Sequence, residues 1–90
     1  MIGQIIKNLR IEKNKTQTQM AKELNIRQNL ISKWESEFIE PNIANLIMLS
    51  NYFKVSIDYL VGIEDETGKK TYNIINDIHH NNIVNINQNK

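Results

Sequence analysis

The sequence predicts an all-α domain of five short helices over residues 1–62, followed by a short C-terminal extension. Three observations carry that expectation. Apolar residues recur at helical spacing in successive segments. Side chains able to cap a helix N-terminus stand just before those segments, at Thr16, Asn42 and Ser56. Residues that turn or stop a chain, Asn25, Pro41 and Gly62, stand between or after them.

The first helix places Ile2, Ile6 and Leu9 on one face and Lys7 off it, and Asn14-Lys15 closes the segment. Thr16-Gln17-Thr18-Gln19 then fits a capping box, in which Thr16 accepts from the backbone N–H of Gln19 and the Gln19 side chain reaches back. A second helix therefore starts at about Gln17 and turns Met20, Ala21 and Leu24 inward. Asn25 follows, and asparagine tolerates the left-handed backbone of a tight turn. The third helix runs from Arg27 or Gln28 to Ser36, with Leu30, Ile31 and Trp34 marking its buried face. Pro41 stops the chain, and Asn42 caps a fourth helix whose apolar residues are Ile43, Leu46, Ile47, Leu49 and Phe53. Ser56 caps a short fifth helix, with Asp58 near its positive end and Gly62 as its stop.

Residues 63–71 read as a polar linker and residues 72–90 as an Asn/Ile-rich tail. The tail pattern leaves three forms open: a two-strand hairpin turning near His80-Asn81, an extended arm, or disorder. An isolated hairpin is not stable alone, so an ordered tail is expected to pair with another chain. That makes it a candidate oligomerisation segment.

The chain has 90 residues and no cysteine, which excludes disulfide scaffolds, thiolate metal sites and cysteine nucleophiles. Its apolar runs are too short to span a membrane. The N-terminal MIGQIIKNLR lacks the pattern of a signal peptide, so a cytoplasmic protein is expected. The formal net charge is +1, well short of a nonspecific nucleic-acid coat. The balance is uneven: residues 1–62 carry eight basic and six acidic side chains, residues 63–90 three and four. An anionic partner should therefore meet the first part. His79-His80 has no further ligand at metal spacing, and Glu64-Asp65-Glu66 reads as linker. No nucleophile–base pair, phosphate loop or metal motif is present, so neither catalysis nor a cofactor is expected.

The informative stretch is TQTQMAKELNIRQNLISKWE, residues 16–35: helix, tight turn, helix, with the small Ala21 letting the two helices approach. Around it stand Ile6-Lys7-Asn8-Leu9-Arg10, Pro41, Leu46 and Val55-Ser56-Ile57-Asp58-Tyr59-Leu60-Val61-Gly62. In this order, residues 2–62 resemble the Cro and phage-repressor type of helix-turn-helix domain, the XRE family. The likeness covers about two-thirds of the chain.

That resemblance implies a role for each matching position. The third helix is expected in the DNA major groove, with Gln28, Asn29 and Lys33 at base-reading positions and Arg27 and Ser32 as further candidates. The chemistry suits them, because Gln and Asn amides pair with adenine and Lys donates to guanine. Gln17 matches the family's phosphate-clamping glutamine, with Thr16 beside it; Asn42 and Asn45, opening the fourth helix, are candidates for the same work. Arg10 and Glu35 match an internal salt bridge and are structural. Three positions depart from the family pattern: Asn25 stands where Gly is usual, Arg27 where Ser often caps, and Ser36-Glu37-Phe38-Ile39-Glu40 where Gly and basic residues are common. Phe38 and Ile39 are expected either to pack inward or to form a subunit contact.

The expected function is sequence-specific binding of double-stranded DNA as a repressor of phage, plasmid or bacterial type, acting at the nucleoid. The expected form is a homodimer or higher homo-oligomer on a pseudo-palindromic operator. The tail, or the fifth helix with Val55, Ile57 and Tyr59, would join the copies. The alternative is a protein-interaction module, an antitoxin or the target of an anti-repressor, gripping a regulatory protein partner with the same helices. The near-neutral charge and the acidic Glu37–Glu40 loop keep that second reading open.

Overall fold

The computed structural model describes residues 1–69. The end of the linker and the tail 72–90, with His79 and His80 and the hairpin expected there, lie outside the described residues. Among the described residues the regular elements are five helices: α1 (Ile2–Glu12), α2 (Gln17–Leu24), α3 (Gln28–Glu35), α4 (Ile43–Phe53) and α5 (Ile57–Leu60).

Their ends are set by the residues that predict them. Thr16 Oγ1 accepts from Gln19 N at 3.0 Å and Gln19 Oε1 accepts from Thr16 N at 2.8 Å, closing the capping box. Asn25 takes a left-handed backbone, φ 57° and ψ 45°, and lets Ile26 N donate to Ala21 O. Asn42 Oδ1 accepts from Asn45 N at 2.8 Å, and Ser56 Oγ from Tyr59 N at 2.9 Å. Arg27 leads into α3 with an extended backbone and makes no side-chain cap, as the missing serine implies.

The core draws on every helix: Ile6 from α1, Met20 from α2, Ile31 and Trp34 from α3, Leu49 from α4 and Leu60 from α5 are almost wholly buried. No charged or polar residue is fully buried among the described residues. Helix α1 packs on α3 and α5, α2 on α3, and α4 on α5. Leu24 and Leu30 are half-buried at its border.

Two apolar groups lie outside the core. Ile43 and Ile47 face solvent, because α4 turns Leu49 and Phe53 toward the core and leaves Leu46 half-buried at the edge between the two sides. Phe38 and Ile39 do not pack inward: Phe38 is 75% exposed, while its backbone N–H is tied back to Lys33 O at 2.9 Å.

Gly3 makes the close approach of α1 to α3 feasible. A Cβ there would stand 2.9 Å from the Glu35 carbonyl oxygen and closer still to that of Trp34. Backbone atoms at the end of a helix cannot swing aside as a side chain can. Gly3→Ala is therefore expected to destabilise the fold by about 2 kcal/mol, the range typical of overpacking. A fall in the urea midpoint at unchanged slope is the corresponding measurement.

Candidate nucleic-acid interface

Helix α3 divides into two faces. Leu30, Ile31 and Trp34 turn to the core, while Gln28, Asn29, Ser32 and Lys33 share an arc of about 140° on the opposite side. Gln28, Asn29 and Lys33 are exposed and Ser32 is half-buried. Arg27 is exposed just before the helix. The base-reading candidates thus sit together on one short rigid element.

A chain of side-chain bonds anchors that element from beneath. Arg10 Nε donates to Glu35 Oε2 at 2.8 Å and its Nη2 to Glu35 Oε1 at 3.0 Å, a bidentate pair joining α1 to the end of α3. Both side chains are largely buried, 11% and 5% exposed. Arg10 Nη1 also donates to the Lys15 carbonyl at 2.9 Å, fixing the turn between α1 and α2. The hydrogen bonds to Glu35 push the already high Arg10 pKa up further, against the opposing effect of burial, so the guanidinium stays charged. Gln17 Nε2 donates to Glu35 Oε1 at 3.0 Å, and Gln28 Nε2 donates to Gln17 Oε1 at 2.6 Å. The phosphate candidate and the first base-reading candidate are therefore bonded to each other and, through Glu35, to the core.

This relay leaves usable groups. An amide nitrogen carries two hydrogens. Gln28 donates one to Gln17 and keeps the other, together with its Oε1. Gln17 gives one hydrogen to Glu35 and keeps the second. Thr16 Oγ1 accepts within the capping box, and its hydroxyl hydrogen is left to donate. Asn42 and Asn45 form a separate group at the start of α4; there the Asn42 oxygen is held by the cap, and its NH2 remains as donor.

Other charged groups are arranged in ways the spacing did not signal. Lys15 Nζ pairs with Glu23 Oε2 at 2.7 Å, and Tyr52 Oη donates to Glu23 Oε1 at 2.5 Å. Lys13 Nζ lies 4.9 Å from the centre of the Tyr52 ring. Arg27 and Lys33 make no ion pair among the described residues, so their charge is available outside the protein. Glu37, expected to repel a phosphate, instead accepts from Gly3 N at 3.0 Å and from the Met1 amine. The amine and then the backbone N–H groups hold its carboxyl below the usual carboxylate range.

A helix-turn-helix family model matches residues 6–60, from within α1 to the end of α5. The chain belongs to the XRE-type helix-turn-helix family. It is similar to the HTH-type transcriptional regulator ImmR of Bacillus subtilis, 39% identical over 69 residues, which are 77% of this chain and 54% of that one. It is also similar to the HTH-type transcriptional activator BcrR of Enterococcus faecalis, 42% identical over 60 residues, 67% of this chain and 29% of that one. A third relative, the HTH-type regulator YobD of Bacillus subtilis, is 29% identical over 70 residues, 78% of this chain and 62% of that one. The chain thus spans about half the length of ImmR and less than a third of BcrR. Among the described residues no helix is long and apolar enough to cross a membrane.

Within this helix-turn-helix unit, Glu35 bonds to both Arg10 and Gln17. Glu35→Ala leaves a largely buried guanidinium without its carboxylate and is expected to cost about 3 kcal/mol. Chemical denaturation of the variant reads that loss. Tyr52 supplies a pH marker: burial, and then its bond to Glu23, push its phenol up to about 12 from 10.0. A folded pKa above the unfolded one gives a stabilising contribution that is complete below pH 10 and is lost as pH rises through about 12. Phenolate absorbance should show a late step that Tyr52→Phe removes. Glu23→Gln should lower the step only part-way, because burial is the larger cause.

Proposed function

We propose that this helix-turn-helix chain is a transcriptional regulator that binds double-stranded DNA sequence-specifically, with α3 in the major groove. The observation that carries the reading is the Gln28–Gln17 bond resting on Glu35 and Arg10. It holds Gln28 at the start of the exposed helix with one N–H and Oε1 free, the pair of groups that matches adenine N7 and N6. It also leaves Gln17 one N–H for a phosphate oxygen, so one relay sets both register and base contact. Asn29 offers a second amide for adenine and Lys33 a donor for guanine, with Ser32 and Arg27 beside them. Thr16, Asn42 and Asn45 supply further phosphate donors at helix starts.

One such module touches few base pairs, so two copies on a pseudo-palindromic operator give useful specificity. Regulation is proposed to be repression, by occupying an operator that overlaps a promoter. The site of action is the cytoplasm, at the nucleoid. A regulatory protein partner remains the second class of ligand, and the same experiment separates it.

Selection of the full-length protein against randomised duplex DNA at near-physiological salt tests the reading. Enrichment of a two-fold symmetric motif is the expected result. Weak, salt-sensitive retention without a motif would move the function to a protein partner. On the selected site Gln28→Ala or Lys33→Ala should cost roughly 1–3 kcal/mol and relax base preference. Gln17→Ala should weaken all sequences and also loosen preference at the Gln28 position, because the two amides are bonded. Titrations against matched and mismatched duplexes report both effects. Unchanged preference in both the Gln28 and Lys33 variants would refute the assignment of α3.

A further inference from the structure

An apolar surface lies between the end of α3 and the start of α4, where this chain departs from the family pattern of Gly and basic residues. We propose that this face joins two copies of the chain. The inference rests on the two-copy reading above and names its interface, which is neither the tail nor α5. Phe38 is 75% exposed, Ile43 74% and Ile47 49%. Ile43 and Ile47 stand one turn apart, and Leu46 falls within about 100° of both around α4. Leu46 in turn helps to line a groove of about 330 Å³ with Ile2, Pro41 and Val61. The groove and the exposed stripe of α4 are therefore one continuous apolar surface.

The occupant follows from area and shape. Phe38, Ile39, Ile43 and Ile47 together expose on the order of 400–500 Å². A patch of that size on a small soluble domain marks an interaction site. A standard interface buries about 800 Å² per partner, of which about 65% is apolar in homodimers. The exposed area thus approaches what one side of a small homodimer needs. A two-fold interface requires a patch complementary to itself. This one carries a projecting aromatic side chain, Phe38, and a groove able to receive one. Glu37 and Glu40 border the groove. A second copy is accordingly the occupant argued for, and the face sits directly after the reading helix, where pairing would fix the spacing of two α3 helices.

The chain has no cysteine, so a single introduced thiol reports on this face alone. Full-length Ile43→Cys should form a disulfide-linked dimer under mild oxidation, with or without the selected duplex, and Lys22→Cys on the exposed side of α2 should not. Phe38→Glu should weaken self-association in sedimentation equilibrium at least tenfold and reduce binding to a two-half-site duplex. Its far-UV circular dichroism and its base preference on one half-site should not change. Cross-linking that fails at Ile43, or Phe38→Glu that associates as the parent does, overturns the proposal. A motif selected with Phe38→Glu unaffected would remove the face and leave the DNA reading standing. Cross-linking through Ile43 without any selected motif would do the reverse.

Discussion

The Arg10–Glu35 pair is the constraint on which the exposed side of α3 rests. It sits at the edge of the core, largely shielded from water, and joins the last turn of α1 to the last residue of α3. Taking two charges out of water cancels most of their attraction, so such a pair adds little net stability over an apolar alternative. Its value is geometric. A bidentate guanidinium–carboxylate contact fixes both distance and plane, and further bonds extend it: Arg10 also holds the Lys15 carbonyl, and Glu35 also receives Gln17. The orientation of Gln28 is inherited from this pair through one intermediate amide. A reading side chain on an exposed helix would otherwise lose rotamer freedom on contact with its target.

The same junction explains the unusual loop that follows α3. Helix α1 must come close enough for Arg10 to reach Glu35, which requires Gly3 to lie against the Trp34 and Glu35 carbonyls. Those carbonyls end a helix that is closed by Glu37 in a left-handed conformation, φ 66°, where a residue without a side chain would be at ease. The Glu37 carboxylate offsets that strain in part by accepting from Gly3 N at the start of α1. One residue thus closes α3 and caps α1. The acidic side chain of this loop is turned back onto the start of α1.

Most of the fold was legible because its signals are local. The Thr16–Gln19 capping box, the turn at Asn25, the caps at Asn42 and Ser56 and the stop at Gly62 each depend on a few neighbouring residues. The buried Ile6, Met20, Ile31 and Trp34 follow from helical spacing. What could not be read depends on separation in sequence. The bonds from Gln17 to Glu35 and from Glu37 to Gly3, and the Tyr52–Glu23–Lys15 cluster, join residues whose proximity exists only once the helices are packed. Periodicity also left Ile43 and Ile47 unassigned to a side, because an isoleucine on an apolar helix is consistent with either side until its neighbours are known. The candidate reading residues were found through the likeness of their setting; their connection to the core was not visible from spacing.

The charge of the chain gives this architecture its consequence. Phosphate neutralisation supplies affinity in proportion to the number of cations brought to the backbone, and here Lys15 is paired with Glu23 while Lys13 leans on Tyr52. With a net charge of only +1, a single copy has little nonspecific attraction to draw on. Two features offset that shortage in the proposed function. A reading helix whose first amide is already bonded in place loses less freedom on contact. Pairing of two copies doubles the contacts with the target. Weak general attraction with strong orientation favours discrimination among sequences over retention on any sequence, as a regulator that must find one operator requires.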